Sequence, residues 1–179
     1  MEPRPVAHSL SVLVHWLGPT DLNSAGFVHG GVIMKLCDQV AGLASVRHSG
    51  GRVVTAGMDR MTFNEPIHIG ELLTLRASVN AVWRTSMEVG VRVEAERPAV
   101  GTVRHTNSAY LTMVAVDDAG RPREVPPLVV ERADEERRER AAQTRRRNAS
   151  PSATRSSEDV GAPPPARRAP LPCPLPRDD

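Results

Sequence analysis

Asn23, His29, Gly30, Gly31 and Asp38 fall within one short run, NSAGFVHGGVIMKLCDQVAG (23–42). The glycine pair opens a helix. Amides in a first helical turn have no acceptor inside the helix, so they are ready donors for an oxyanion or a phosphate. Asp38 lies seven residues after Gly31, two turns along and on the same side. A carboxylate two turns from free amides has the makings of acid/base or nucleophilic chemistry beside an anion-stabilising site. Each residue also has a plainer use. A mid-helix aspartate away from the apolar face solvates a surface, His29 suits loop packing, and asparagine is a common turn residue.

The elements that must position these groups follow from periodicity. On a 3.6-residue wheel, Val32, Ile33, Leu36, Cys37, Val40, Ala41 and Ala44 share a broad apolar face. Asp38 falls roughly opposite, in line with Gly31, Gly42 and Ser45. A stripe of small residues around one carboxylate implies close approach by a strand, a second subunit or a ligand. Gly42 costs about 1 kcal/mol against alanine inside a helix, which argues for a packing reason.

The helix spans about 30–47, with Gly50 and Gly51 suited to its C-cap. An apolar, loosely alternating segment at 8–17 precedes it as a strand, joined by a loop at 18–29 rich in Gly, Pro, Asp, Asn and Ser. Four strand-like segments follow at 53–63, 72–83, 87–96 and 103–116. In them Leu73, Leu75, Ala77 and Val79, then Val89, Val91 and Val93, alternate with more polar positions. Residues 84–86 make a hairpin connection, and Pro126–Pro127 end the domain. One long helix and about five antiparallel strands bury each other only if the sheet wraps the helix, an α+β arrangement. Neither GxGxxG nor GxxxxGKS is present, which removes the common nucleotide-binding folds.

Composition narrows the classes further. A chain of 179 residues with net charge +2 carries no strong overall field. Its two cysteines, Cys37 and Cys173, form neither a disulfide framework nor a CxxC metal pair. Aromatic residues make up 3% of the chain, too few for a stacking platform on single-stranded nucleic acid. No 18-residue apolar run or signal pattern occurs, so a cytoplasmic protein without membrane attachment is expected. No metal ligand set and no cofactor motif is found.

Three segments are expected. Residues 1–130 form the folded domain. Residues 131–147 form an exposed charged helix, with acid-first pairs Asp134–Arg138 and Glu136–Arg140. Residues 148–179 hold 8 of the 16 prolines and read as a disordered tail. The arginines of the charged helix raise the question of a nucleic-acid or membrane partner, but the interleaved acids dilute its charge.

The order of elements is that of the hotdog fold, and the run from His15 to Phe63 resembles the acyl-CoA hydrolase group of hotdog thioesterases. The shared pattern is an asparagine, then G-x-V-H-G-G, M-K-x-x-D-x-x-A-G and R-H. Further matches are VVTA (53–56), TSMEV (85–89) and EVPPLV (124–129). The resemblance spans about 8–147.

The resemblance implies hydrolysis of fatty acyl-CoA to free acid and coenzyme A. It implies Asp38 as the catalytic carboxylate and Asn23 as its partner in the site. Amides near Gly30 and Gly31 are candidate oxyanion donors, His29 adjoins them, and Thr55 is a candidate for the pantetheine slot. Arg84, Thr85 and Ser86 are candidate contacts for coenzyme A. Two-domain relatives divide the asparagine and the aspartate between two repeats. A single repeat therefore implies a homo-oligomer, a dimer unit assembled into a hexamer as a trimer of dimers. The alternative function is a non-hydrolytic acyl-CoA binding or dehydratase-like hotdog protein, for which His29 would be the residue of interest.

Overall fold

The computed structural model describes residues 1–59, 61–63 and 65–148. The expected tail at 148–179 lies outside the described residues from position 149 on. Five strands form one antiparallel sheet in the order β2 (Ser11–Trp16), β4 (Leu72–Val82), β5 (Ser86–Arg97), β6 (Thr102–Ala115) and β3 (Val53–Met58). One helix, α2 (Gly30–Ser49), packs against all five strands. This is the hotdog arrangement.

Alternation decides which side chains meet the helix. Leu73, Leu75, Ala77 and Val79 of β4, Met87, Val89, Val91 and Val93 of β5, and Ala109, Leu111 and Met113 of β6 are buried. They join Ile33, Leu36, Cys37, Val40, Ala41 and Ala44 of α2 in one core. Each fully buried valine or leucine contributes about 1.5–3 kcal/mol, so this seam dominates the stability. The helix ends at Gly50, whose φ of +72° is the left-handed cap conformation.

Several boundaries differ from expectation. The first strand begins at Ser11, because Val6–Ser9 makes a helical turn, α1. Ser9 Oγ donates to Val6 O at 2.7 Å and accepts from Val79 N–H at 2.9 Å. The strand expected at 53–63 stops at Met58. Beyond Asp59, the Asn107 side chain takes the Thr62 carbonyl at 2.6 Å, in place of a backbone ladder bond. Pro126–Pro127 do not end the folded part. Pro127 O accepts from Arg4 N–H at 2.9 Å, and β1 (Arg4–Pro5) pairs in parallel with β7 (Leu128–Val129).

Helix α3 (Ala133–Asn148) forms with its Asp134–Arg138 and Glu136–Arg140 pairs. It is not simply exposed. Ala142 is fully buried. Arg145 makes two hydrogen bonds to Glu88, at 2.9 and 2.6 Å, and lies 3.7 Å from the Tyr110 ring centroid. Arg146 covers Trp83 at 4.1 Å. The aromatic partners come from β6 and from the β4–β5 turn, so no helix pattern announces the docking.

Candidate active site

Asn23 builds the loop that enters α2. Its Oδ1 accepts from Ala25 N–H at 2.9 Å and Phe27 N–H at 3.2 Å. Its own N–H donates to Phe27 O at 2.7 Å, and Gly26 takes a φ of +80° to close the turn. The Asn23 amide oxygen is thereby committed to the loop. Among the described residues its Nδ2 has no acceptor, and no hydrogen bond joins it to Asp38.

His29 is the N-cap of α2, and its Nδ1 accepts from Gly31 N–H at 2.9 Å. This changes the expectation for the glycine pair. The Gly31 amide is taken by the histidine ring, whereas Gly30 N–H meets no acceptor among the described residues. One of the two expected donors is therefore without an acceptor among the described residues. An accepting Nδ1 also leaves the proton of a neutral ring on Nε2.

Two turns on, Asp38 is exposed. The Thr55 hydroxyl donates to its Oδ1 at 2.6 Å, a short, charge-assisted hydrogen bond. Met113, the β6 residue opposite Thr55, places its sulfur 3.6 Å from the same hydroxyl. Helix and edge strand thus fix the carboxylate from two directions, and its other oxygen takes no hydrogen bond among the described residues. The adjacent Cys37 thiol is pushed up to about 12 by burial and by the Asp38 charge. It stays protonated and is no nucleophile.

The small-residue stripe is shorter than expected. A side chain at Gly42 would meet nothing within 4 Å. Ser45, however, is fully buried and donates to Ala41 O at 2.8 Å. The three candidate coenzyme A contacts separate as well. Arg84 is exposed and Thr85 is buried. Ser86 accepts from Arg146 of α3 at 3.3 Å. Ser86 pairs with Val114 in the register next to Met87–Met113. Met87 and Met113 face α2, so Ser86 points to the opposite face.

Two neighbours of this site carry no signal in the local sequence. Met113 reaches Thr55 only through strand register. Phe63 reaches Gly30 only because the loop after β3 folds back over the start of α2. Neither contact has a sequence period that would reveal it.

The fold and this helix terminus define a hotdog protein. The model of the thioesterase superfamily matches residues 25–102. The cytosolic acyl coenzyme A thioester hydrolase of Mus musculus is 40% identical over 140 residues, covering 76% of this chain and 36% of that protein. The chain thus spans about a third of the length of the first curated relatives it matches. An apo-hexameric acyl-CoA thioesterase superposes with a TM-score of 0.81 at 33% identity, over 87% of this chain and 100% of that one. The acyl-CoA hydrolase of Staphylococcus aureus, solved with butyryl coenzyme A, coenzyme A and coenzyme A disulfide, has a TM-score of 0.75 at 31% identity. It covers 82% of this chain and 90% of that one.

Variants of the Staphylococcus aureus protein replace an asparagine, an aspartate and a threonine by alanine, at intervals of 15 and 17 residues. Asn23, Asp38 and Thr55 stand at the same intervals. The chain belongs to the thioesterase superfamily.

Proposed function

We propose that this protein hydrolyses fatty acyl-CoA to the free acid and coenzyme A, in the cytoplasm and as part of fatty acid metabolism. The observation that carries the reading is the Asp38–Thr55 hydrogen bond of 2.6 Å, two helical turns from the free Gly30 amide. A thioester carbonyl held by that amide develops an oxyanion when attacked, and a preorganised donor of this kind contributes about 3 kcal/mol. Asp38 supplies the attack by one of two routes. It takes a proton from a water that adds to the carbonyl carbon, or its own oxygen adds and forms an anhydride. In both, the C–S bond breaks and the coenzyme A thiolate leaves. Label found in Asp38 after single turnover in ¹⁸O-water would establish the anhydride route, with water opening the anhydride at the Asp38 carbonyl. Thr55 orients the carboxylate, and Asn23 Nδ2 offers a hydrogen bond to the water or the thioester. Arg84 is the remaining candidate for a coenzyme A phosphate.

A dehydratase-like reading needs a histidine free to move a proton. His29 holds its Nδ1 against Gly31 N–H, which favours hydrolysis. The direct test is incubation with palmitoyl-CoA and a thiol reagent. Release of free thiol supports the proposal, and binding without release sinks it. A series of acyl chains from two to eighteen carbons then gives the preferred length.

The working unit is proposed to be a homo-oligomer, a dimer assembled into a hexamer. Among the described residues strand β3 pairs only with β6 and lies at the sheet edge, and its residues 54–57 are exposed. Such an edge favours pairing with another chain. A site that takes Asn23 from one subunit and Asp38 from its neighbour would also account for their lack of contact within one chain. Asn23→Ala and Asp38→Ala, each inactive alone, should regain a fraction of activity when refolded together. No recovery in proven mixed dimers would mean that each site is built within one chain.

A further inference from the structure

Phe63 lies over the start of α2, in the loop that follows β3. A methyl group built on Gly30 would stand 3.2 Å from its Cζ, with two further ring carbons at 3.6 and 3.7 Å. A side chain at position 30 would therefore press on the ring, which would have to give by a few tenths of an ångström. Gly30 is also the residue whose N–H has no acceptor among the described residues. The ring is 45% exposed, so one side meets the helix terminus and the other remains open.

Thr62 and Ile67, before and after the ring in sequence, are each anchored to the rest of the domain. Asn107, fully buried, donates to Thr62 O at 2.6 Å. On the other side, Val28 N–H donates to Ile67 O at 3.0 Å, which ties the loop to the segment just before His29. Ile67 is itself buried. An apolar ring left this exposed gains little from burial, and its neighbour is the start of α2.

We infer that Phe63 is a positioning residue for the thioester, a cover that screens the free Gly30 amide from water and holds the acyl carbonyl against it. The inference rests on the proposed thioester hydrolysis. The physical reason is dielectric. A donor aimed at a developing oxyanion is worth more where water is excluded, and a competing water would otherwise occupy the amide between turnovers. The same geometry makes position 30 sensitive to size, because a methyl group there would crowd the ring.

The experiment compares wild type, Phe63→Ala, Phe63→Leu, Gly30→Ala and the Gly30→Ala/Phe63→Ala double variant. Each is assayed for release of coenzyme A from acetyl-, octanoyl- and palmitoyl-CoA, with thermal melting as the folding control. Phe63→Ala should lower kcat about tenfold for every chain length, less than the loss of a whole oxyanion donor, with KM little changed. Phe63→Leu should recover most of the loss. The two alanine substitutions should combine to less than the product of their separate effects, because both remove one contact. A loss confined to KM and growing with chain length would overturn the inference, since Phe63 would then be only a wall for the acyl chain. So would unchanged kcat in a folded Phe63→Ala protein, or independent effects in the double variant. A wild type that hydrolyses no acyl-CoA overturns the proposed function and this inference with it. An active wild type with unaltered Phe63→Ala overturns this inference alone.

Discussion

Asp38 and Glu88 stand on opposite sides of the same sheet, and they are treated in opposite ways. Asp38 comes from the central helix, is exposed, and among the described residues receives one hydrogen bond, from Thr55. Glu88 comes from β5, is 5% exposed, and is saturated by Arg145 and by Asn80 Nδ2 at 3.1 Å. A buried carboxylate with three of its roughly four acceptor sites taken has little left for chemistry and acts as a fastener for α3. A carboxylate oriented by one donor keeps an oxygen for a substrate or a water. Glu71 repeats the saturated pattern. It is 2% exposed, accepts from Arg104, Arg97 and His68 N–H, and belongs to no candidate site.

The contrast is broken most directly at Asp38. Asp38→Asn keeps the shape but removes both basicity and charge. Turnover of long-chain acyl-CoA should fall about 10²–10⁴-fold, with the melting temperature unchanged. Near wild-type hydrolysis by the purified variant would refute the assignment.

Arg145→Met should do the reverse. It leaves Glu88 buried without its cation and should cost about 3 kcal/mol of stability. At that cost the melting temperature should fall by roughly 10 °C. Activity per folded molecule at low temperature should stay as it was. A calorimetric scan with a parallel assay checks both halves, and a loss of activity without a loss of stability would place Glu88 in the site after all.

Glu71 sharpens the contrast through pH. Burial pushes its carboxyl up, but hydrogen bonds from Arg104, His68 N–H and Arg97 outweigh this and hold it at about 2. The folded value lies below the unfolded one. The stabilisation is therefore fully present above about pH 4.5 and is lost as pH falls toward 2, amounting to about 3 kcal/mol. Denaturant unfolding of wild type and Glu71→Gln from pH 7 to pH 3 should show a shallower acid decline in the variant. Equal slopes would mean that Glu71 is not the linked group.

The smallest effect is expected at Thr55. Thr55→Val retains the shape and removes the donor to Asp38, so kcat should drop about tenfold. An unchanged kcat would show that the carboxylate is held well enough by the helix alone.

Much of the frame was legible because its period is local. The apolar face Ile33–Leu36–Cys37–Val40–Ala41–Ala44 and the alternation Val89–Val91–Val93 each record a surface that must be buried. Asp38 stood out because it broke that period beside a glycine pair, and Asn23 and Thr55 came with the family pattern. The stripe through Ser45 misled because helical direction does not report what neighbouring elements cover. Arg84, Thr85 and Ser86 were read as one polar group. A strand start sends Thr85 and Ser86 to different surroundings, and α3 takes Ser86.

By itself, the sequence determined one long helix, the strands with their inward faces, the charged helix after them and the carboxylate two turns from a glycine pair. These depend on spacings of a few residues, which steric and hydrogen-bond periods make readable. Tertiary structure alone decided that Thr55 meets Asp38, that His29 takes the Gly31 amide and leaves the Gly30 amide free, that Phe63 stands over Gly30, and that Glu88 is locked by Arg145. Those partners lie up to 57 residues apart. Their meeting depends on sheet register and on loops folding back over the helix, and no local period encodes either.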